Sequence, residues 1–586
     1  MFLTQTTSPL MRLVSTLAIS GLFLAIAVPN GLATQKKATH SSKQSQERQK
    51  KAPKQKHAPK VPRPTTKPGP ATKPVGPSPS IPSANTLQTP WGTVNEPQFP
   101  SQVCSELKAV LTPNANHSID ALDRDPSRSS VDTRRIQQAL DNCPEGHAVK
   151  LVTGPQGESG FLSGPLSLKS HVTLWIDSGV TLYASRNPQD YDNGEGSCGT
   201  ADNKKGKGCR PLLSADKTQN SAIVGFGSID GRGGSLLTNG PNRMKRSWWD
   251  LAHLTKSQGL IQHNPRLLEI TASKDFTLYQ ISFLNTPNFT SMFTSSQGMT
   301  AWGIKMLAPS AEYTVANYAC PEELTPNKAA TASCFTPDTI SNTDGFDTQN
   351  SSRILLAYSY ISTGDDHVSI KASGSGPVSE DVAILHNHFY YGHGMSIGSE
   401  TVAGVHHLFV DDLSVDAHNS PNSIGLRIKS DPSRGGSVSD INYSNVCLRN
   451  VHRPIILDSY YSNASGSKYP SFTNIHFNGI HNLGNSNNLN EITVFSGFSS
   501  SAARNPLDVS LNNVVYDGKQ PTFSRDTLRA ARLHLGPGPV SFLSSLQPFA
   551  SSDVQLDTHI SGNGVAPVDC RSAFVPFNSI LPSAPF

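Results

Sequence analysis

From Thr271 onward, the chain repeats one pattern: a short run of alternating β-forming residues, then Asn or Asp near a turn, then another apolar residue. Examples are SRILLAYSYIS, DVAILHNHFYY, HHLFVDDLSVD and DVSLNNVVYDG, and comparable positions recur at intervals from the low twenties to the mid thirties. Strand-sized repeats at such intervals are typical of propellers, solenoids and sandwiches. A propeller blade needs four strands and about forty residues, which is too long for most of these intervals. The repeat therefore favours a parallel β-helix, in which each repeat forms one coil.

Helical periodicity is nearly absent outside one amphipathic segment, Asp132 to Cys143. A solenoid needs a cap over the apolar end that its first coil would otherwise expose. The stretch TRRIQQAL within this segment is suited to that role. We therefore expect an all-β chain that forms a parallel β-helix with a short N-terminal capping helix.

The N-terminus has the pattern of a secretory signal. Arg12 precedes an apolar run, and small residues lead to a plausible cleavage point after Ala33. A membrane anchor is the alternative, but the apolar run is slightly short for a span and ends in Pro-Asn-Gly. Translation could begin at Met1 or at Met11. We expect residues 1–33 to be a signal peptide and the protein to be secreted, with cell-surface association left open.

Residues 34–88 form a tail that is rich in Lys, Pro, Ser and Gln and should be disordered, because it has too little apolar surface to offset the entropy of ordering. Between Thr34 and Pro90 there are 12 Lys or Arg residues and one acid, whereas the rest of the folded body has 36 basic and 43 acidic residues. The overall basicity therefore belongs to the tail and does not indicate nucleic-acid binding. The tail is either a solvated linker or a tether to an anionic surface such as a cell wall, an outer membrane or an acidic polysaccharide. The catalytic domain is expected over residues 89–586.

The chain has eight cysteines, and an even number in an exported protein is consistent with disulfides. Cys198 and Cys209 flank one short polar loop, and Cys320 and Cys334 flank another, so each is expected to form a local pair. No cysteine or histidine cluster has the spacing of a zinc site. The residues alone therefore give only weak support for a metal site, and we expect no cofactor.

Ionisable residues recur in consecutive repeats at a comparable point after the apolar run. Asp344 precedes the adjacent pair Asp365 and Asp366 by 21 and 22 residues, about one coil, so it should lie directly below them with strands ~4.8 Å apart. The following coils carry the ionisable residues His393, Arg427, Lys429 and Tyr460. The arginine and the lysine are two residues apart and therefore share one face of their strand.

Such a row suits hydrolysis of an acidic polysaccharide. One carboxyl group must be protonated to assist the leaving oxygen, and another must be ionised to activate water. Crowding three carboxylates raises the pKa of at least one, because like charges in close proximity disfavour full ionisation. The neighbouring Arg427 and Lys429 could hold the carboxylates of the substrate.

The motifs NTDG, GDD, GHG and RIK, in this order and followed by a tyrosine one coil later, resemble those of the polygalacturonases of glycoside hydrolase family 28. The stretches SWWDLA, GHGMSIGSET and GLRIKSD are similar to the secreted bacterial endo-acting members, and the likeness extends from about Ser101 to Gly518, with its motif core over 271–518. The resemblance implies a single-stranded right-handed parallel β-helix. It also implies inverting, metal-independent hydrolysis of α-1,4 bonds between galacturonic acid units.

The resemblance further implies roles for individual residues. Asp365 would be the general acid, Asp344 and Asp366 would position and deprotonate the water, and His393 would support the acid or bind the sugar. Galacturonate would be bound around the cleavage point by Arg427, Lys429 and Tyr460, with Asn342 orienting the site. The sequence departs from the family pattern at His367, where many relatives have Cys or Asn, and in an apparent insertion over 311–341.

Several readings stay open. We expect an endo-acting monomer whose partner is polygalacturonate, but the insertion beside the groove leaves exo-action or a related pectin hydrolase as the alternative. A calcium-dependent pectate lyase on a similar fold, or a non-catalytic polysaccharide-binding protein, is disfavoured because no member of the catalytic row is missing. The adjacent acids Asp411–Asp412 lack supporting motifs and are interpreted as turn residues, and Trp248–Trp249 are expected to be buried rather than to stack on sugar.

Overall fold

The computed structural model describes residues 86–586 except 204, 205, 207, 327–330, 463, 487–490, 563, 565 and 567. The predicted signal peptide and nearly all of the predicted tail lie outside the described residues. The first described strand begins at Thr86, three residues before the expected start of the domain. None of the described helices is long and apolar enough to cross a membrane.

Four α-helices and many short strands make up the described part of the chain. The helices are α1 (Thr133–Asn142), α2 (Pro188–Tyr191), α3 (Trp248–Gln258) and α4 (Leu543–Leu546). The strands are β1 (Thr86–Thr89), β2 (Gly92–Asn95), β3 (Val103–Lys108), β4 (Ala148–Val152), β5 (Gly160–Ser163), β6 (Leu166–Ser167), β7 (Thr173–Ile176), β8 (Thr181–Ala184), β9 (Ala201–Asp202), β10 (Leu213–Asp216), β11 (Ala222–Val224), β12 (Ser228–Asp230), β13 (Ile261–Gln262), β14 (Leu268–Thr271), β15 (Thr277–Tyr279), β16 (Ser282–Leu284), β17 (Ser291–Thr294), β18 (Gln297–Trp302), β19 (Lys305–Leu307), β20 (Phe346–Gln349), β21 (Ser352–Ala357), β22 (Tyr360–Ser362), β23 (Val368–Lys371), β24 (Ser379–Phe389), β25 (Met395–Ile397), β26 (Val405–Asp416), β27 (Ile424–Lys429), β28 (Ser437–Arg449), β29 (Arg453–Asp458), β30 (Ser471–Asn482), β31 (Val494–Ser496), β32 (Phe498–Ser499), β33 (Arg504–Asn505), β34 (Leu507–Tyr516), β35 (Leu528–Arg529), β36 (Ala531–Leu535) and β37 (Val554–Asp557).

Two large parallel sheets form the body. One has 11 strands in the order β35-β31-β29-β27-β25-β23-β20-β17-β14-β10-β6, and we call it the groove sheet. The other has 20 strands and covers the remaining sides of the solenoid. Because the chain contributes one strand to the groove sheet and then returns through the second sheet, each circuit is one coil. The fold is the right-handed parallel β-helix predicted from the repeat and the family resemblance.

The register of the groove sheet explains the sequence spacing. Phe346 pairs with Val368, which pairs with Met395, which pairs with Leu426, so these coils have 22, 27 and 31 residues. All four side chains are fully buried. Each position of this kind contributes roughly 1.5–3 kcal/mol through burial of its apolar side chain. The apolar run of the repeat is therefore the internal stack of the solenoid.

The Asn and Asp residues of the repeat lie at a corner of the solenoid. In eight consecutive coils, residues in register adopt left-handed backbone conformations with φ between 52° and 80°: Gln280, Gly303, Tyr358, His386, Asp412, Asn445, Gly479 and Asn513. Gly, Asn and Asp adopt this conformation at the lowest cost. Asp412 is thus a corner residue, which agrees with its interpretation as a turn residue.

The helix α1 caps the first coils as predicted. Ile136 and Leu140 are buried against the core. The Gln137 side chain donates to the Ser167 carbonyl at 3.0 Å and accepts from the Ser167 N–H at 2.9 Å, so it satisfies the free edge of β6. A cap of this kind closes an edge that would otherwise be open to pairing with other chains.

Four disulfides join the eight cysteines. The two predicted local pairs, Cys198–Cys209 and Cys320–Cys334, are confirmed. The other two, Cys104–Cys143 and Cys447–Cys570, join distant parts of the chain. The first ties β3 to the end of α1, and the second begins a returning segment.

Residues 570–586 run back along the outside of the coils, and we call this segment the strap. The ring of Phe577 stacks on Tyr390 at 4.6 Å. The Ala311 N–H donates to the Ser583 carbonyl at 2.8 Å, and the Asn317 N–H donates to the Pro585 carbonyl at 3.0 Å. The strap therefore packs on the insertion that precedes the NTDG motif.

Candidate active site

Adjacent strands of the groove sheet bring the three predicted carboxylates together. Asp344 and Asp366 each lie two residues before a strand, and because β20 and β23 are paired in register the two acids occupy the same level in neighbouring coils. The Gly345 N–H donates to the Asp366 carbonyl at 2.8 Å. The structure thus places Asp344 one coil from the Asp365–Asp366 pair, as the spacing predicts.

Asp366 is the most strongly ligated of the three. Its carboxylate is buried, accepts from Lys429 Nζ at 2.8 Å and from Ser396 Oγ at 2.8 Å, and is paired with the Arg427 guanidinium. Burial alone would raise its pKa, but Arg427 and Lys429 outweigh that effect and lower it. Asp366 is therefore ionised in the unliganded site.

Asp365 has the most accessible carboxylate of the three, with 18% of the side chain exposed against 6% for Asp344 and 2% for Asp366. It contacts His393 Nδ1 at 3.0 Å and accepts from the Asn342 N–H at 3.3 Å. Burial would raise its pKa, but His393 and, behind it, the two cations lower it. In the absence of substrate, this carboxyl favours the charged form.

Asp344 has the opposite electrostatic environment. Burial, then the charge of Asp347, raises its pKa well above the usual value. Its buried Oδ1 has no hydrogen-bond partner among the residues that the structure describes. Of the three carboxyls, Asp344 is therefore the one whose surroundings favour the protonated form.

Asp347 and Lys371 form a buried ion pair behind the cluster, and sequence analysis missed both. The Lys371 ammonium lies 3.8 Å from Asp344 Oδ2. Burial raises the pKa of Asp347 to about 6 despite this lysine. Strict alternation along VSIK and FDTQ would have placed both side chains on the outward face of their strands.

The two cations of RIK share one face of β27, as predicted. Instead of projecting freely, Arg427 and Lys429 both bind Asp366, and Arg427 Nε also donates to Ser396 Oγ at 3.0 Å. A substrate carboxylate that bound these cations would compete with Asp366 for them. Any anion that bound these cations would therefore change the charge around the carboxylate cluster.

The two adjacent tyrosines differ in accessibility. The Tyr460 hydroxyl donates to the Ser499 carbonyl at 2.8 Å and accepts from the Ser499 N–H at 2.9 Å, and its ring lies 3.8 Å from the Arg529 guanidinium carbon. Tyr461 is 45% exposed, and Lys429 Nζ lies 5.0 Å from its ring centroid. Tyr461, which sequence analysis did not select, is thus the more open of the two beside the predicted cations.

Asn342 and His367 hold the backbone around the cluster. The Asn342 side chain accepts from Gln262 Nε2 at 2.8 Å while its N–H faces Asp365. His367 accepts from the Gly394 N–H at 2.9 Å, so its other ring nitrogen donates to the Tyr391 carbonyl at 2.7 Å. Burial lowers the pKa of His367 to about 3. The neutral imidazole therefore fixes the turn that carries His393, which explains how the departure from the family pattern is accommodated.

The side chains of Asp365, Asp366 and His393 each place a ligand atom within 4.8 Å of the others. Such a group can hold a metal ion. Here, however, Arg427 and Lys429 already neutralise Asp366, and their positive charge opposes a further cation. The arrangement suits proton transfer better than metal binding.

The predicted burial of Trp248 and Trp249 is confirmed, because both side chains are fully inaccessible at the start of α3. Trp249 Nε1 donates to the Thr286 carbonyl at 2.8 Å, and its ring packs edge-on against Phe335 at 5.0 Å. Since Phe335 belongs to the insertion over 311–341, which we call the wall of the groove, Trp249 anchors this wall, while Trp248 packs in the core of the solenoid.

Comparisons with known proteins agree with this geometry. The family model described as glycosyl hydrolases family 28 matches residues 143–527. A polygalacturonase from Ralstonia solanacearum is 50% identical over 512 residues, covering 86% of this chain and 96% of that protein. An endo-polygalacturonase from Pectobacterium carotovorum subsp. carotovorum is 41% identical over 414 residues, covering 71% and 90%. The solved polygalacturonase of Erwinia carotovora ssp. carotovora is 38% identical with a TM-score of 0.59, covering 72% of this chain and 96% of that one.

Proposed function

This chain belongs to glycosyl hydrolase family 28 and hydrolyses polygalacturonan, and we propose that the cluster of Asp344, Asp365 and Asp366 cleaves its α-1,4 bonds with inversion. The proposal rests on the observation that the three carboxyls of the cluster differ in the direction of their pKa shifts. One carboxyl has a raised pKa and two are held in the ionised form. Inverting hydrolysis needs both a protonated and an ionised carboxyl.

The accessible carboxyl, Asp365, is the proposed general acid. Its low pKa without substrate depends on His393 and on the cations Lys429 and Arg427. When substrate carboxylates bind Lys429 and Arg427, the negative charge of the substrate offsets the stabilisation that these cations give to the Asp365 anion. The pKa of Asp365 then rises. Asp365 then carries the cluster's proton and donates it to the leaving glycosidic oxygen, while Asp366 and Asp344 hold the attacking water and accept its proton.

The substrate is bound on both sides of the cleavage point. Four strands of the groove sheet, β17, β14, β10 and β6, precede the coil of Asp344, and β27, β29, β31 and β35 follow the coil of His393. Arg427 and Lys429 bind galacturonate carboxylates, Tyr461 lies open beside them, and Asn342 orients the acid. A long floor on both sides supports endo-action, with exo-action the less supported alternative.

Export and tethering complete the proposal. Four disulfides suit an oxidising compartment, in agreement with the predicted signal over 1–33. The catalytic body has more acidic than basic residues and its substrate is a polyanion, so long-range repulsion opposes their encounter. The basic tail over 34–88 offsets that repulsion by binding an anionic surface or the polymer itself, and the enzyme acts as a monomer.

The function is tested by the products formed from polygalacturonate. We expect new reducing ends with a rapid fall in viscosity, no unsaturated uronide absorbance and no effect of EDTA. Asp365→Asn should lower kcat about a thousandfold without changing thermal stability, because the proton donor is lost. The control is Asp411→Asn, which alters the other adjacent acid pair on the 20-stranded sheet. Chelator-sensitive unsaturated products would identify a lyase instead.

A further inference from the structure

The last strand of the groove sheet places an arginine in the same outward-facing row as Lys429, one of the two cations beside Asp366. Lys429 is in register with Asp458, Asp458 with Ser496, and Ser496 with Arg529. The residues preceding them, Leu457, Phe495 and Leu528, are buried in the core, so this row faces out of the solenoid. Arg529 therefore lies three strands beyond Lys429, roughly 14 Å along the floor.

The Arg529 side chain is held in place from one side. Its Nε donates to Ser496 Oγ at 2.9 Å, and its guanidinium carbon lies 3.8 Å from the Tyr460 ring centroid. The Tyr460 ring is itself fixed by its two hydrogen bonds to Ser499 and by stacking on Phe498 at 5.5 Å. A guanidinium stacked on an aromatic ring with Nε bound presents its terminal nitrogens in a fixed orientation.

The terminal nitrogens of Arg529 have no carboxylate partner among the residues that the structure describes, and the side chain is partly exposed. Arg266, towards the other end of the groove sheet, is different, because it binds Glu269 at 2.6 Å. Asp458, between Lys429 and Arg529, forms no salt bridge in the described part of the chain; burial raises its pKa, and the nearby charge of Arg529 offsets part of that rise. Arg529 is thus a preorganised cation that makes no direct contact with a carboxylate in the described part of the chain.

We propose that Arg529 binds a galacturonate carboxylate at a distal subsite of the groove, with Tyr460 as the platform that positions its guanidinium. The planar fork of arginine matches a carboxylate through two parallel hydrogen bonds. A methyl ester offers neither the charge nor the second acceptor oxygen. The subsite would therefore select de-esterified stretches of the polymer. This inference rests on the proposed function, because it concerns the same substrate.

The experiment compares Arg529→Gln with wild type on the galacturonate trimer and on polygalacturonate. The loss in kcat/KM should grow with chain length, reaching about fivefold to tenfold on the polymer through a higher KM, because only long chains span from Lys429 to Arg529. Arg529→Lys keeps the positive charge but loses the planar guanidinium, so its kcat/KM on the polymer should lie between that of wild type and that of Arg529→Gln. Raising the salt concentration should shrink the difference on the polymer.

The matched control is Arg532→Gln, which alters an exposed arginine on β36 in the other large sheet and should leave both substrates unaffected. Thermal unfolding of each variant separates local loss from misfolding. An unchanged KM of Arg529→Gln on the polymer, or equal losses on trimer and polymer, would overturn the subsite. Failure of the wild type itself to hydrolyse polygalacturonate would overturn the proposed function instead.

Discussion

The three carboxyls of the proposed catalytic cluster differ in charge because each has different neighbours. Asp366 is held by two cations, whereas Asp344 faces the buried carboxylate of Asp347 and only a more distant Lys371. The protonation of the cluster therefore depends on Asp347 and Lys371, which lie behind the three carboxyls. A residue without a direct part in bond cleavage can fix the pH range in which the enzyme works.

This dependence gives a prediction for Asp347→Asn. After burial, the charge of Asp347 is the largest factor raising the pKa of Asp344. A raised pKa keeps the proton on Asp344 as pH increases, so removing that charge should move the alkaline limb of kcat/KM to lower pH, by about 0.5–1 unit. Lys371→Met should move it the opposite way. The pH profile of kcat/KM measures both shifts, with Asp411→Asn on the 20-stranded sheet as the control. An alkaline limb that stays in place in Asp347→Asn would disprove the link.

At the scale of elements, the insertion over 311–341 is fixed to the coils through buried charges. Glu312 at its start lies near Asp230 and Asp120, and the fully buried Arg186 and Arg232 neutralise only part of this acidic group. Burial, then repulsion from Asp230, raises the pKa of Glu312 to about 8. The wall of the groove is thus held best when this carboxyl is protonated.

Glu312→Gln should therefore change how stability depends on pH. Because the folded state raises the pKa of Glu312, its contribution to stability is fully present below the unfolded value of 4.5 and is lost as pH rises through about 8. At pH 8.5 the variant should be more stable than wild type by about 1 kcal/mol in the free energy of unfolding and should therefore unfold at a higher temperature. At pH 4 the two proteins should be equally stable. Glu322→Gln, an exposed glutamate on the same insertion, is the control in thermal unfolding. A constant difference across this pH range would refute the assignment.

Sequence spacing could place site residues where the coils are short, but it could not place those that follow longer coils. Asp344, Asp366 and His393 could be placed from spacing because their coils contain few extra residues. Arg529 could not, because 38 residues separate Ile456 from Val494 and 33 separate Phe495 from Leu528. Sequence analysis missed Asp347 and Lys371, because strand alternation places both side chains on the outward face but does not show that they pair beside Asp344. The sequence also could not show which of Tyr460 and Tyr461 is accessible, because the Tyr460 hydroxyl is bound by Ser499 in the hairpin formed by β32 and β33.

At the scale of the whole molecule, the strap makes the solenoid depend on contacts that its repeats do not supply. Each coil of a solenoid normally contacts only its neighbours. The disulfide Cys447–Cys570 instead joins residues 123 apart in sequence, and the strap then reaches the insertion beside the active site. The groove wall is therefore coupled to a distant part of the chain.

Replacing both Cys447 and Cys570 with serine should release the strap. We expect a loss of about 2–4 kcal/mol in unfolding free energy, because the cross-link no longer restricts the unfolded chain. Residues 570–586 should also become sensitive to proteases, and kcat should fall as the insertion loosens. Thermal unfolding and mass analysis of proteolytic fragments measure these effects. The control is the double serine variant of Cys198 and Cys209, which lie 11 residues apart. If proteases cut the strap equally slowly in both double variants, the proposed coupling would be contradicted.

The strap also imposes an order in time. During synthesis, the coils emerge from the N-terminal end and can stack as they appear. The insertion before Asp344 emerges long before Phe577 and Phe586, the residues that later pack against the tyrosines beside it. The carboxylates of the proposed cluster can thus stack into place while the support of the insertion beside them is still missing. That support forms last, when residues 577–586 arrive, so a chain cut before Phe577 should keep its carboxylate cluster but lose the fixed position of the insertion.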